Sequence, residues 1–119
     1  MRHVLTIPEW SRASVKMRCQ SRCERCGAPA PRGAWHHRRS RSVRDTHTHC
    51  PCNGVWLCNN DHAWVHANPL AARQNGFIVS RNETEPATVP VLTPWGERTH
   101  DCGGGQHYIP SITDNEEQP

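Results

Sequence analysis

The sequence predicts a small α+β domain whose apolar residues are too few to hold it together alone. Three observations point there. The chain has 119 residues and is 34% hydrophobic, with one Phe and one Tyr, and a domain this small with so little to bury usually needs metal or cross-links. It carries seven cysteines and nine histidines, most of them between Cys19 and His66. The expected elements also run helix, two strands, two helices, two strands, so that strand follows strand and helix follows helix, which is the α+β pattern.

The elements follow in order. Residues 1–8 read as an extended lead-in. Residues 9–20 (E-W-S-R-A-S-V-K-M-R-C-Q) fit a short helix with Trp10, Ala13, Val15 and Met17 partly buried and Arg12, Arg18 and Arg22 turned outward. Residues 28–33 hold two prolines and Gly33, so they read as a loop. The first strand is expected over 34–38, followed by a polar, arginine-rich loop over 39–49 and a tight Cys50-Pro51-Cys52 turn. G-V-W-L-C over 54–58 is the second strand. A helix over 61–67 follows, capped by Asn60 or Asp61. A second short helix begins with Asn68 as cap and Pro69 at its first position, and Asn75-Gly76 ends it. Residues 77–80 (F-I-V-S) are expected as a strand paired with 89–92. Residues 93–108 read as loose turns or a small hairpin. The acidic, polar end over 111–119 is expected to be disordered.

The formal net charge of +3 hides an asymmetry. Residues 1–44 carry eleven basic side chains against two acidic ones, and the remainder carries three against nine. A basic front half is the footprint of a polyanionic partner. Arginine predominates over lysine there, which favours bidentate phosphate contacts. Arg38, Arg39, Arg41 and Arg44 are the expected phosphate clamps, and nothing in the run suggests base-specific readout. No apolar run resembles a signal peptide or is long enough to span a membrane. With an odd number of cysteines, a reduced cytoplasmic protein holding zinc is the expectation.

The window from Trp35 to His66 carries the chemistry. Adjacent histidines in a strand face opposite sides, so His36 can hold a metal while His37 faces a reacting water. His62 and His66 are four apart and share a helix face. Three histidines with coordination positions left open form the pattern of a catalytic metal site. A neutral imidazole such as His37 can act as a general base near pH 7. Cys23-Glu24-Arg25-Cys26-Gly27 is a turn that presents two thiolates to one zinc. Trp56 and Trp64 are expected in the core rather than as stacking platforms, and Cys102 has no evident partner.

These motifs together resemble the HNH (His-Me finger, ββα-metal) endonuclease family. The matching residues are His36-His37, Asn53 in N-G-V-W-L-C-N-N-D-H, then His62 and His66. R-C-E-R-C-G and L-C-N-N-D-H resemble the zinc-knuckle branch found in small proteins of tailed phages and actinobacteria. The resemblance covers residues 23–81. It implies a ββα-metal core braced by one structural zinc, preceded by a basic N-terminal helix over 1–22 and followed by a β extension over 82–110. It implies His37 as general base, Asn53 as the residue that ties the loop and orients it, and His36, His62 and His66 as ligands of one catalytic divalent ion (Mg, Mn, Ni, Co or Zn). That ion would act on the scissile phosphate, and the products would carry 5′-phosphate and 3′-hydroxyl ends. Cys23, Cys26 and Cys58 are the implied zinc ligands. Asp61 stands where the family has a fourth cysteine, and Cys19, His49, Cys50 and Cys52 are the alternatives. DNA is the implied partner. A phage origin would place the work in genome processing beside packaging (terminase) proteins, in the host cytoplasm. The rival readings are a zinc-stabilised DNA-binding module without catalysis and a toxin-type nuclease with an immunity partner.

Overall fold

The computed structural model describes residues 6–110. The tail expected over 111–119 and the first five residues of the lead-in lie outside them. The chain forms α1 (Glu9–Arg18), β1 (Ala34–His37), β2 (Gly54–Leu57), α2 (Asn59–Ala67), α3 (Pro69–Gln74), β3 (Val91–Thr93), β4 (Gly96–His100) and β5 (Gln106–Tyr108). β1 and β2 make an antiparallel hairpin, and β3-β4-β5 a second antiparallel sheet. The result is a small α+β fold. No helix among the described residues is long and apolar enough to cross a membrane.

The hairpin register sets Trp35 opposite Trp56 and His37 opposite Gly54. A Cβ at Gly54 would collide with the Trp35 ring, so only glycine lets that indole cross the strand. Trp35, Val55, Trp56, Leu57, Val65, Ala72, Phe77 and Val91 build the core between the hairpin, α2, α3 and β3.

α1 ends at Arg18 rather than at residue 20, and it presents a different face from the one expected. Ser11 and Val15 are buried, while Trp10 and Met17 are 59% and 78% exposed. Polar anchoring chose this face. The Ser11 hydroxyl donates to the His49 carbonyl at 2.6 Å. Arg18 is turned inward, not outward. It grips buried Glu24 with two bonds of 3.1 and 2.8 Å and donates to the Pro51 and Gly54 carbonyls. Glu24 also accepts from the Trp56 amide at 2.8 Å. A buried pair satisfied this fully holds its geometry, whereas removing one partner would strand the other charge.

Two further expectations give way. Residues 77–80 form no strand, because their backbone is spent elsewhere: the Phe77 amide donates to Ala72 O and the Val79 amide to Arg38 O. β3 pairs with β4 instead, and of the loose turns or small hairpin expected over 93–108 the hairpin is what forms, as the β4–β5 part of that sheet. α2 starts two residues before the expected position. Its cap is the Cys58 sulfur, which accepts from the Asp61 amide at 3.4 Å.

Candidate functional site

β1 and α2 bring three histidines together. The ligand-capable nitrogens of His36, His62 and His66 all lie within 4.8 Å of one another. His62 Nε2 and His66 Nε2 are 3.3 Å apart. Two imidazoles on one zinc stand about 2.9–3.4 Å apart, given Zn–N bonds near 2.0–2.1 Å, so the pair fits a shared ion. His36 is buried, and its Nε2 lies 2.8 Å from the Phe77 carbonyl oxygen. A carbonyl only accepts, so Nε2 carries the proton and Nδ1 keeps the lone pair a metal needs. Burial, foremost, pushes His36 down to about 4, which keeps it in the neutral form that ligation requires. His62 is lowered too, by burial and then by His66.

His37 leaves the strand on the other side. Its Nε2 is 3.1 Å from His49 Nδ1, and its ring stands edge-on to Trp35 with centroids 4.6 Å apart. Burial, then the neighbouring His49 and Arg41, lower it to about 4, so at neutral pH it is an uncharged imidazole. Asn53 is fully buried and closes the loop between the strands. Its Oδ1 accepts from the Arg39 amide at 2.7 Å, and its Nδ2 donates to the Thr48 and Arg39 carbonyls at 3.0 and 3.3 Å. Asn53 therefore fixes the backbone on both sides of the loop that carries His49. It is a positioning residue, out of reach of solvent.

The histidines open onto a cleft of about 640 Å³ whose lining includes His36, His37, His62, His66, Arg41, Arg73 and Arg81. Arg73 and Arg81 are exposed. Their sequence neighbours are polar or apolar rather than basic, so no charge run marked them. Arg44 is exposed and lies outside the cleft lining.

Arg38 and Arg39 are not phosphate clamps. Each is 1% exposed. Arg38 donates to the carbonyls of Gly76, Cys52, Pro86 and Val89 at 2.6–3.2 Å, and although burial lowers it to about 10 it stays charged. Arg39 donates to Glu83 O at 2.8 Å and to the Asp45 carboxylate at 2.5 Å. Both guanidinium groups are spent on sewing loops together.

A second group lies at the turn before β1 and the start of α2. Cys23, Cys26, Cys58 and Asp61 have their ligand atoms within 4.8 Å of one another. Cys26 Sγ to Cys58 Sγ is 3.9 Å, and Asp61 Oδ2 is 3.1 Å from Cys23 Sγ and 3.4 Å from Cys58 Sγ. The edges of a zinc tetrahedron with these donors are roughly 3.5–3.8 Å, and the three separations scatter about that range by a few tenths of an ångström. The amides of Arg25 and Cys26 point at Cys23 Sγ, as N–H groups around a thiolate do. Asp61 Oδ1 is held by Arg25 at 2.7 Å, and the Arg25 guanidinium lies 3.4 Å over the Trp64 ring. Trp64 is thus only half core and half platform for that arginine, while Trp56 is buried. Of the alternative fourth ligands, Cys19 Sγ faces the Val15 carbonyl, His49 meets His37, and Cys50 and Cys52 gather with His47 and Cys102. Both groups could hold a metal such as zinc. No protein-family model, curated protein or solved structure matches the chain.

Proposed function

We propose that the protein is a metal-dependent endonuclease of the HNH type, nicking or cleaving the phosphodiester backbone of DNA. The observation that carries this reading is the placement of His37 beside the three-histidine group that β1 and α2 assemble. A neutral imidazole and a set of metal-capable nitrogens share a cleft rimmed by Arg41, Arg73 and Arg81.

In this reading the rim arginines receive the phosphates on either side of the scissile bond, with no demand on base identity. His37 takes a proton from the attacking water as its oxygen bonds to phosphorus. The bond from phosphorus to the 3′-oxygen breaks, leaving a 5′-phosphate and a 3′-hydroxyl once that oxygen gains a proton from solvent. A divalent ion held by His36, His62 and His66 supplies, when bound, positive charge for the phosphate oxygens and the leaving group. His49 orients the His37 ring, and Asn53 holds the loop that brings His49 there. The Cys23, Cys26, Cys58 and Asp61 group is the structural zinc site in this reading, fastening the turn before β1 to the start of α2.

A plasmid-nicking assay with several divalent ions, with and without chelator, tests the reading. Ion-dependent nicking that disappears in His37→Ala supports it. DNA binding without cleavage under any ion would leave a zinc-stabilised binding module.

A further inference from the structure

The sequence offers Cys50 and Cys52 only as alternative fourth ligands of the other zinc group and gives Cys102 no partner, and the nuclease reading uses none of the three. The fold brings them together. The ligand atoms of His47, Cys50, Cys52 and Cys102 all lie within 4.8 Å of one another. His47 Nδ1 is 3.9 Å from Cys52 Sγ and 3.8 Å from Cys102 Sγ. Those distances are close to the roughly 3.6–3.8 Å between donors on a tetrahedral zinc. All three cysteines are free thiols.

We propose that His47, Cys50, Cys52 and Cys102 bind a second structural zinc ion, which clamps the turn between β4 and β5 onto the loop between β1 and β2.

Three features support this. The donor set is three thiolates and one imidazole, a common composition for structural zinc. The donors are held before any ion arrives. Pro51 stiffens a short 3-10 turn over Pro51–Asn53, which Cys50 precedes and which contains Cys52. Asp101 accepts from the amides of Gly103 and Gly105 at 3.0 and 2.7 Å, which shapes the turn that carries Cys102. A carboxylate stands behind the imidazole as well: with Nδ1 facing the sulfurs, His47 Nε2 lies 3.8 Å from Glu85, too long for a hydrogen bond but on the side where a ligating histidine meets its outer partner.

The site also meets a need of the fold. β4 reads G-E-R-T-H and β5 reads Q-H-Y, so beyond Val91 of β3 apolar packing gives these two strands little hold on the rest of the molecule. A cross-link over 50 residues of chain supplies one. The same ion would fix the loop that holds His49, which stands between His47 and Cys50 in sequence.

Zinc content and thiol reactivity test the proposal without reference to cleavage. The protein is treated with dilute chelator to clear the three-histidine site, which opens onto the cleft, and zinc is then counted by mass spectrometry. The expected content is two ions per chain in the parent and one in Cys102→Ser with far-UV circular dichroism unchanged. One ion in the parent, or two in both proteins, overturns the proposal. If Cys102→Ser does not fold, the parent still decides. Cys50, Cys52 and Cys102 should resist alkylation in zinc-loaded protein and react together, at least roughly tenfold faster, after a strong chelator. A Cys102 that reacts at the free-thiol rate in zinc-loaded protein, or a disulfide within the set, overturns the proposal.

Discussion

His37 Nε2 lies 3.1 Å from His49 Nδ1, across a loop that Asn53 ties shut. At that distance a single proton bridges the two ring nitrogens. If His37 donates from Nε2, its Nδ1 is left with the lone pair a general base needs. The arrangement has the form of a base oriented by a third group. His37→Ala should lower single-turnover cleavage by roughly two or more decades. His49→Ala should cost less, about one decade, because the base remains and only its orientation is lost. Zinc content should be unchanged in both. Equal losses in the two variants would show that His49 does more than orient.

Arg38 and the rim arginines should separate cleanly. Arg38→Met leaves the carbonyls of Gly76, Cys52, Pro86 and Val89 without their donor, at about 1–3 kcal/mol for each acceptor left dry. Calorimetry should show a fall in Tm of roughly 10 °C or more. The Arg73→Gln, Arg81→Gln double variant should keep its Tm. It should bind all DNA sequences more weakly and lose about 0.9 units of salt slope for each phosphate contact removed. A double variant with unchanged affinity and slope would move the DNA path away from the cleft.

Asp61 divides its two oxygens, one facing the cysteines and the other held by Arg25. Asp61→Cys should therefore keep zinc bound after mild chelation. Asp61→Ala should lose the ion held by Cys23, Cys26 and Cys58, with a large fall in stability, because binding energy at such a site is folding energy. Zinc retained at full occupancy in Asp61→Ala would remove Asp61 from the ligand set.

His100 makes stability pH-dependent. It is fully buried, neither ring nitrogen has a hydrogen-bond partner, and its 3.6 Å approach to Glu24 is not a bond. Burial, then Arg18, Arg38 and Arg98, push it from 6.5 to about 2. Below pH 6.5 the unfolded chain takes a proton at this position and the folded chain does not. The stability His100 contributes is thus present above 6.5 and declines as pH falls from there toward about 2. Denaturant titrations should show His100→Gln with a shallower acid loss, by up to about 1.4 kcal/mol per pH unit. Parallel pH profiles for the two proteins would mean that His100 is protonated in the fold.

What could be read from the sequence was local. His62 and His66 are four residues apart, and a helix carries that spacing directly into a 3.3 Å approach. The C-x-x-C turn and the strand alternation of His36 and His37 are likewise short-range facts. Long-range partners were not legible. Arg38 and Arg39 sit in a run that reads as solvated, yet Arg38 is committed to carbonyls up to 51 residues away. Residues 77–80 have strand composition, but their amides face Ala72 and Arg38 rather than a neighbouring strand. Cys102 finds His47 across 55 residues, a distance at which spacing carries no information. Arg73 and Arg81 reach the cleft because α3 packs on α2 and the segment after it runs beside the end of β1.

Single-turnover cleavage of supercoiled plasmid at saturating protein tests the central claim most directly, run with parent, His36→Ala and His37→Ala beside a DNA-binding measurement. The expected result is ion-dependent cleavage by the parent, with both variants binding DNA as the parent does and losing roughly two or more decades of rate even at saturation. A parent that binds DNA but cuts with no divalent ion, or a folded His37→Ala variant that cuts at the parent's rate, would contradict the nuclease reading.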